Sequence, residues 1–124
     1  MKPKILVICH DVILEQLVRD VFGQTYDVFG AGSPDDGERL FHEHRDAFLI
    51  VMSGFSGKTI RSLPLIRKII QVYNYPGYIL ANSGNPVFDH PAMMEAGCTH
   101  EVKGLEFLSA IREIDKLPYP KPAA

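Results

Sequence analysis

Tryptophan is absent from the sequence, and cysteine occurs at only two of its 124 positions, Cys9 and Cys98. Two cysteines are too few for a disulfide framework, and in a reducing compartment both would be free thiols. Long apolar runs are also missing. None approaches the roughly 18 residues that cross a bilayer, and the run after the basic start is too short for a signal-peptide core. We therefore expect a cytoplasmic protein that makes no contact with a membrane.

A strong charge of either sign is missing as well. The chain has 13 basic and 15 acidic residues, which gives a net charge of −2. A nucleic-acid-binding surface usually shows as a clustered basic stripe. The densest basic group here, Arg61, Arg67 and Lys68, fits the solvated face of a helix instead. We therefore expect no direct contact with nucleic acid.

Short apolar runs alternate with stretches in which apolar residues recur at helical spacing. The continuous runs predict strands at 5–9, 26–29, 47–52 and 78–81, with a weaker strand at 101–102. The helical spacing predicts helices over about 14–22, 34–44, 60–73, 91–96 and 105–114. Five strands that alternate with five helices indicate an α/β protein with a parallel sheet and helices on both faces.

The alternation fits a single domain, because a chain of this length is close to the commonest domain size. We assign residues 1–117 to this domain. In residues 118–124 prolines recur and prevent a helix, so we assign them to a tail or a linker stub.

Three segments stand out within this pattern: Lys4 to Ile8, Asp46 to Val51, and Glu95 to Lys103. In their order and spacing, over about residues 3 to 117, the chain resembles the CheY-like receiver domain of two-component response regulators. The last segment is the most specific, because Ala96-Gly97 before the fifth strand and a lysine after it recur in that family. The resemblance implies a flavodoxin-like (βα)5 fold, a doubly wound five-stranded parallel sheet with helices on both faces, and a regulatory role in signal transduction.

The residues that should carry phosphorylation differ from the family pattern. A phosphorylatable receiver holds Mg²⁺ with an acid pair after the first strand and accepts the phosphoryl group on an aspartate after the third. Cys9 and His10 stand where the acid pair should be, with Asp11 one position further on. The acceptor position falls at about Met52, or at Val51 or Ser53 if the register slips, and no residue from 48 to 59 is acidic. The resemblance therefore implies a degenerate pseudo-receiver that is not an enzyme, binds no metal or cofactor, and acts without phosphorylation.

The resemblance also maps the other members of the remnant pocket. The family's hydroxyl residue after the fourth strand falls at about Asn82, with Ser83 beside it, and the family's lysine is Lys103, one residue early. The predicted remnant pocket consists of Cys9, His10, Asp11, Met52, Ser53, Asn82, Ser83 and Lys103.

A contact face is implied in the same way. Receivers commonly signal or dimerise through the fourth helix, the fifth strand and the fifth helix. Glu101 stands at the family's aromatic switch position, and an acid there indicates a fixed surface. We predict Glu101, Lys103 and Glu106 as contact residues, with a signalling protein or a second copy of the chain as the partner.

A second hypothesis is that the pocket binds a small ligand or performs weak catalysis. Its side chains are polar, and a His-Asp neighbourhood can do acid–base chemistry. Cys9 occupies a position where some phosphate-handling enzymes place a nucleophilic cysteine, but such sites need a cradle of glycine, serine or arginine. Residues 10–16 contain none of these, so we interpret Cys9 as a small hydrophobic residue.

The loop at 53–59 ends in Gly57-Lys58-Thr59, like the phosphate-binding loop of nucleotidases. That motif needs four residues between its glycines to wrap a phosphate, and only two separate Gly54 from Gly57. We interpret this loop as a turn that precedes the third helix.

Two smaller groups of residues have alternative interpretations. Cys9-His10 and Cys98 with His100 contain potential zinc ligands, but a strand of about 16 Å separates the two pairs. That distance excludes a shared zinc site and a Cys9–Cys98 disulfide. A group of large apolar residues near the fourth helix could be an adaptable binding surface, but we interpret it as core; it consists of Phe88, Met93 and Met94.

Overall fold

The computed structural model describes residues 2–104 and 106–118. The strands are β1 (Lys4–Ile8), β2 (Asp27–Ala31), β3 (Leu49–Met52), β4 (Tyr78–Ala81) and β5 (His100–Glu101). The helices are α1 (Val12–Phe22), α2 (Pro34–Glu43), α3 (Leu63–Gln71), α4 (Pro86–Ala96) and α5 (Glu106–Asp115). Leu105, where the last helix was predicted to begin, and residues 119–124 of the predicted tail lie outside the described residues.

All neighbouring strands are parallel, and their order is β2-β1-β3-β4-β5. This order confirms the predicted flavodoxin-like (βα)5 fold. Parallel strands all end at the same edge of the sheet, and the strand order reverses between β1 and β3. Loops that leave this carboxyl edge diverge at such a reversal and open a crevice for ligands.

Strand alternation sends apolar side chains to both faces of the sheet, and each face has its own buried cluster. Leu6, Ile50 and Ile79 face the layer formed by α2, α3 and α4. Val7 and Val51 face the layer formed by α1 and α5. Because helices cover both faces of the sheet, the strands β3 and β4 and the part of β1 after Lys4 are apolar. The edge strands β2 and β5 also carry polar residues.

Most predicted element boundaries agree with the structure to within a few residues, and α4 is the exception. This helix was predicted to begin at Pro91, whereas it begins at Pro86. Proline suits the first turn of a helix, but in the interior it removes a hydrogen bond, here the one to the Val87 carbonyl, and costs about 3 kcal/mol. The side chain of the N-cap residue, Asn85, makes no capping hydrogen bond either. Side-chain contacts described below compensate for this weak backbone.

The start of α2 follows the sequence signals directly. Ser33 is the N-cap, and its hydroxyl accepts a hydrogen bond from the Asp36 amide at 3.1 Å. Pro34 occupies the first turn, where its missing N–H is harmless. Here local propensity and tertiary structure agree.

The prediction that the large apolar residues near α4 belong to the core is right for two of them and wrong for one. Met93 is fully buried and Met94 packs against the same core, as predicted. The core prediction is wrong for Phe88, which is 56% exposed because the helix starts earlier and turns this side chain outward.

Cys98 lies before β5, at the sheet edge opposite the one where Cys9 follows β1. Within residues 2–104 and 106–118, no group of three or more His, Cys, Asp or Glu side chains could hold a metal ion. In the same part of the chain, no helix is long and apolar enough to cross a membrane.

Candidate functional site

A cavity of about 440 Å³ opens at the carboxyl edge of the sheet. Its volume falls within the range of small-molecule sites in proteins, about 300–1,000 Å³. The loops after β1, β3, β4 and β5 contribute to its wall, together with α1 and α5. The lining residues are Cys9, His10, Asp11, Ile13, Leu14, Leu17, Ser53, Asn82, Ser83, Gly84, Pro86, Gly104 and Phe107.

Most of the predicted remnant pocket comes together in this cavity: Cys9, His10, Asp11, Ser53, Asn82 and Ser83 all line it. The prediction is wrong for Met52, because strand alternation turns its fully buried side chain into the core layer of α3 and α4. Lys103 is not among the lining residues either; its side chain is exposed and has no hydrogen bond or ion pair within the described chain.

The loop after β1 uses its polar groups to begin α1. Asp11 is the N-cap, and its Oδ1 accepts a hydrogen bond from the Ile13 amide at 2.9 Å. The Asp11 amide in turn donates to Cys9 Sγ at 3.4 Å. The ring of His10 lies 6.0 Å from that of Phe55, centroid to centroid. Asp11, which lies one position beyond the family's metal-binding acid pair, therefore caps α1.

The opposite wall of the cavity is apolar. Leu14 and Leu17 of α1 and the fully buried Phe107 of α5 form it. No lysine or arginine is among the lining residues. A site for phosphate usually pairs the anion with basic side chains, so this cavity suits a neutral or cationic guest with an apolar part.

Sequence reasoning missed two polar residues behind the cavity wall, Asp89 and His90 of α4. They are only 0% and 1% exposed. The Ser83 hydroxyl donates a hydrogen bond to Asp89 Oδ2. The Ser83 amide donates to His90 Nε2 at 3.1 Å. One residue at the end of β4 thus holds two side chains of α4.

The second nitrogen of His90 points toward β5. His90 Nδ1 lies 3.3 Å from Glu101 Oε2, within ion-pair distance but not aligned as a hydrogen bond. Glu101 is 55% exposed at its side chain. The predicted contact residue Glu101 is therefore also a neighbour of the buried imidazole, whereas Lys103 and Glu106 are exposed.

The correct helix start would have revealed these residues. If α4 begins at Pro86, then Asp89, His90, Met93 and Ala96 fall on one face at spacings of three and four, and all four are buried. The helix was predicted over 91–96 only, so Asp89 and His90 fell outside it. Ionisable residues on an otherwise apolar helix face would have indicated a buried polar site, and this signal is visible only with the earlier helix start.

The arrangement does not form a nucleophile–base pair. The imidazole lone pair at Nε2 already accepts from the Ser83 main chain, so His90 cannot take the proton of the Ser83 hydroxyl. The Ser83 hydroxyl itself is engaged with Asp89 and also accepts from the Asn85 amide at 3.3 Å. These contacts fix the loop between β4 and α4.

Gly54, two residues after the end of β3, makes room for the Asp89 carboxyl group. A Cβ atom at this position would overlap Asp89 Oδ2 and Ser83 Oγ. By contrast, a Cβ on Gly57 in the same loop would meet no atom within 4 Å. The requirement for glycine at position 54 is therefore steric and follows from the buried carboxyl group.

We predict that Gly54→Ala lowers the free energy of unfolding by about 1–3 kcal/mol, the usual cost of overpacking. Gly57→Ala is the matched control, and its effect should stay within about 0.5 kcal/mol. Urea denaturation of both variants measures the difference. Equal stability of the two variants would show that Asp89 does not occupy the space beside Gly54.

The chain is similar to known proteins in its fold but not in its sequence. No family model and no curated protein matches the chain. Among solved structures, it is similar to a response regulator from Thermotoga maritima, with 19% identity, a TM-score of 0.71, and coverage of 92% of this chain and 98% of that one. The chemotaxis protein CheY4 of Vibrio cholerae gives 13% identity, a TM-score of 0.73, and coverage of 92% and 99%.

A third similar structure is that of a phosphorylated protein. A response regulator from Burkholderia pseudomallei, whose structure contains a phosphorylated aspartic acid, gives 18% identity and a TM-score of 0.74, with coverage of 91% of this chain and 66% of that one. Similarities at this level of identity establish that the chain has the fold of CheY-like receiver domains.

Proposed function

We propose that this chain is a pseudo-receiver: a regulatory domain of signal transduction that acts in the cytoplasm through protein contacts and without aspartyl phosphorylation. The receiver fold supports the regulatory role. The end of β3 supports the independence from phosphorylation, because it carries the buried Met52 followed by Ser53 and Gly54. This is the observation on which the proposal chiefly rests.

The nearest carboxyl group does not replace the missing acceptor. Asp89 approaches Gly54 from α4 and not from β3, and it is fully buried. Its Oδ2 is hydrogen-bonded to the Ser83 hydroxyl. A phosphodonor in the cavity would meet the Ser83 side of this pair and not the carboxyl oxygens.

The loop after β1 is also poorly suited to Mg²⁺, which prefers oxygen ligands in octahedral geometry. Cys9 and His10 supply sulfur and nitrogen, and Asp11 is engaged at the start of α1. We infer that the domain needs neither metal nor cofactor for its regulatory role.

Incubation with acetyl phosphate and Mg²⁺ tests the independence from phosphorylation. We expect no mass increase corresponding to one phosphoryl group in intact-protein mass spectrometry. The Burkholderia pseudomallei response regulator, treated in parallel, is the positive control. A stoichiometric mass increase of this chain that disappears on Asp11→Asn would overturn the proposal and identify a displaced acceptor.

The contact face is proposed from the likeness to receivers, as the surface of α4, β5 and α5. Glu101, Lys103 and Glu106 lie on it with exposed side chains. The partner is a signalling protein or a second copy of the chain. Both signs of charge occur within six residues, so a partner with the complementary pattern would be held in a defined orientation.

A charge exchange tests this face. We expect the double variant Lys103→Glu, Glu106→Lys to lose the protein captured by the wild-type chain from lysate of the source cell, or to lose self-association in sedimentation. The matched control is Arg39→Glu, Glu43→Lys on α2, which also exchanges two exposed charges at unchanged net charge. Equal loss in both variants, or in neither, would refute the assignment of this face.

The cavity favours a second candidate function, the binding of a small molecule. Its polar end includes Asn82 and Asp11, its other end is apolar, and no lysine or arginine is among its described lining residues. A neutral or cationic molecule with an apolar body fits this chemistry better than an anion does.

Phenethylamine and phenylacetate, which differ in the sign of their charge, are suitable probes. We expect the amine to shift the amide signals of Asn82 and Gly84 in NMR spectra more than the carboxylate does, and alkylation of Cys9 to abolish the shift. Alkylation can be selective, because Cys98 is buried and burial raises the pKa of its thiol to about 12. Equal shifts with both probes, or shifts unchanged after alkylation, would exclude this candidate.

A further inference from the structure

We propose that His90 is a proton-controlled switch that exchanges partners. As a neutral ring it binds the main chain of Ser83; as a protonated ring it releases Ser83 and pairs with Glu101. The switch would connect the cavity wall to the proposed contact face, because Ser83 lines the cavity and Glu101 lies on that face.

The hydrogen bond from Ser83 determines the resting state of the imidazole. A main-chain N–H can only donate, so His90 Nε2, at 3.1 Å from the Ser83 nitrogen, must present its lone pair. The proton of the neutral ring then sits on Nδ1. The geometry therefore requires the Nδ1–H tautomer.

Protonation places the ring between one repulsive and one attractive neighbour. A second proton on Nε2 would point directly at the Ser83 N–H, and two donors cannot share this bond. At the other side of the ring, the positive charge would be attracted to Glu101 Oε2, which is 3.3 Å from Nδ1. The Glu101 side chain is half-exposed, so it can rotate into alignment with Nδ1.

Few other charged groups surround His90. On its own helix, Asp89 is adjacent and buried, and its Oδ1 has no hydrogen-bond partner among the described residues. From α3, which packs against α4, Lys68 pairs with Glu38 at 2.8 Å and Arg67 is exposed. From β5, Glu101 is the acid in contact with the ring. Both nearby acids would stabilise a protonated ring.

The first turns of α4 can respond because their backbone is weak. Pro86 and Pro91 both lack an N–H, and Asn85 provides no side-chain cap. The Ser83 contacts with Asp89 and His90 therefore hold this part of the helix to the end of β4. Loss of one of them should loosen the segment from Ser83 to Pro86, which forms one wall of the cavity.

NMR of the wild-type chain between about pH 8 and pH 5, the range in which histidine side chains change charge, tests the switch. We expect ring nitrogen shifts of the Nδ1–H tautomer at the upper end. As the ring becomes protonated, the Ser83 amide should exchange with solvent roughly tenfold faster, as loss of one hydrogen bond implies. The Tyr26 amide, which donates to the Phe22 carbonyl at 2.8 Å and belongs to the buried cluster on the other face of the sheet, is the internal control.

Variants separate His90 from its neighbours. His90→Gln keeps an acceptor for the Ser83 amide without a titrating ring, so the response of Ser83 should vanish. Asp89→Asn keeps an acceptor for the Ser83 hydroxyl, so the response should persist.

Several results would overturn the switch: an Nε2–H tautomer at the upper end of the range, a Ser83 amide whose exchange does not change, or a response that survives in His90→Gln and disappears in Asp89→Asn. The use of the switch in regulation rests on the proposed contact face. The two fail separately, because these spectra test the partner exchange alone and the charge-exchange variants test the face alone.

Discussion

The burial of two ionisable side chains of α4 against one serine is the constraint on which the carboxyl edge depends. A buried carboxyl group or imidazole is costly unless it is hydrogen-bonded, and Ser83 satisfies one atom of each, Asp89 through its hydroxyl and His90 through its amide. Because both partners belong to one residue, α4 cannot move relative to the end of β4 without leaving a buried polar group unpaired. The shape of the cavity follows from this anchor, since Ser83, Gly84 and Pro86 form one of its walls.

The same anchor explains the composition of neighbouring loops. Asp89 reaches the end of β3, so Gly54 must lack a side chain there. A helix with two prolines and no side-chain cap would be marginal alone. The buried hydrogen bonds of Asp89 and His90 to Ser83 replace part of what the helix backbone lacks.

The sequence predicted the architecture well because the physics of that level is local. The apolar run that ends at Met52 correctly predicted β3, and the N-cap residue Ser33 correctly predicted the start of α2. Because the strands are parallel, Cys9, Ser53 and Asn82 lie at the same edge of the sheet. The predicted start of α4 was wrong because Pro91 is a helix-breaking signal that tertiary contacts override. The prediction that Lys103 lines the cavity was wrong for another reason. The sequence places Lys103 in the loop after β5, but it does not show in which direction a long flexible side chain points.

The shortness of β5 limits how another molecule can attach at that side of the domain. This strand lies at the end of the sheet and pairs with β4 only through Leu80 with His100 and Ala81 with Glu101. An edge of two residues offers too few free main-chain donors and acceptors for an incoming strand to extend the sheet. Recognition there must rely on side chains and helix surfaces, and the domain is protected at this edge from the strand-to-strand association that leads to aggregation.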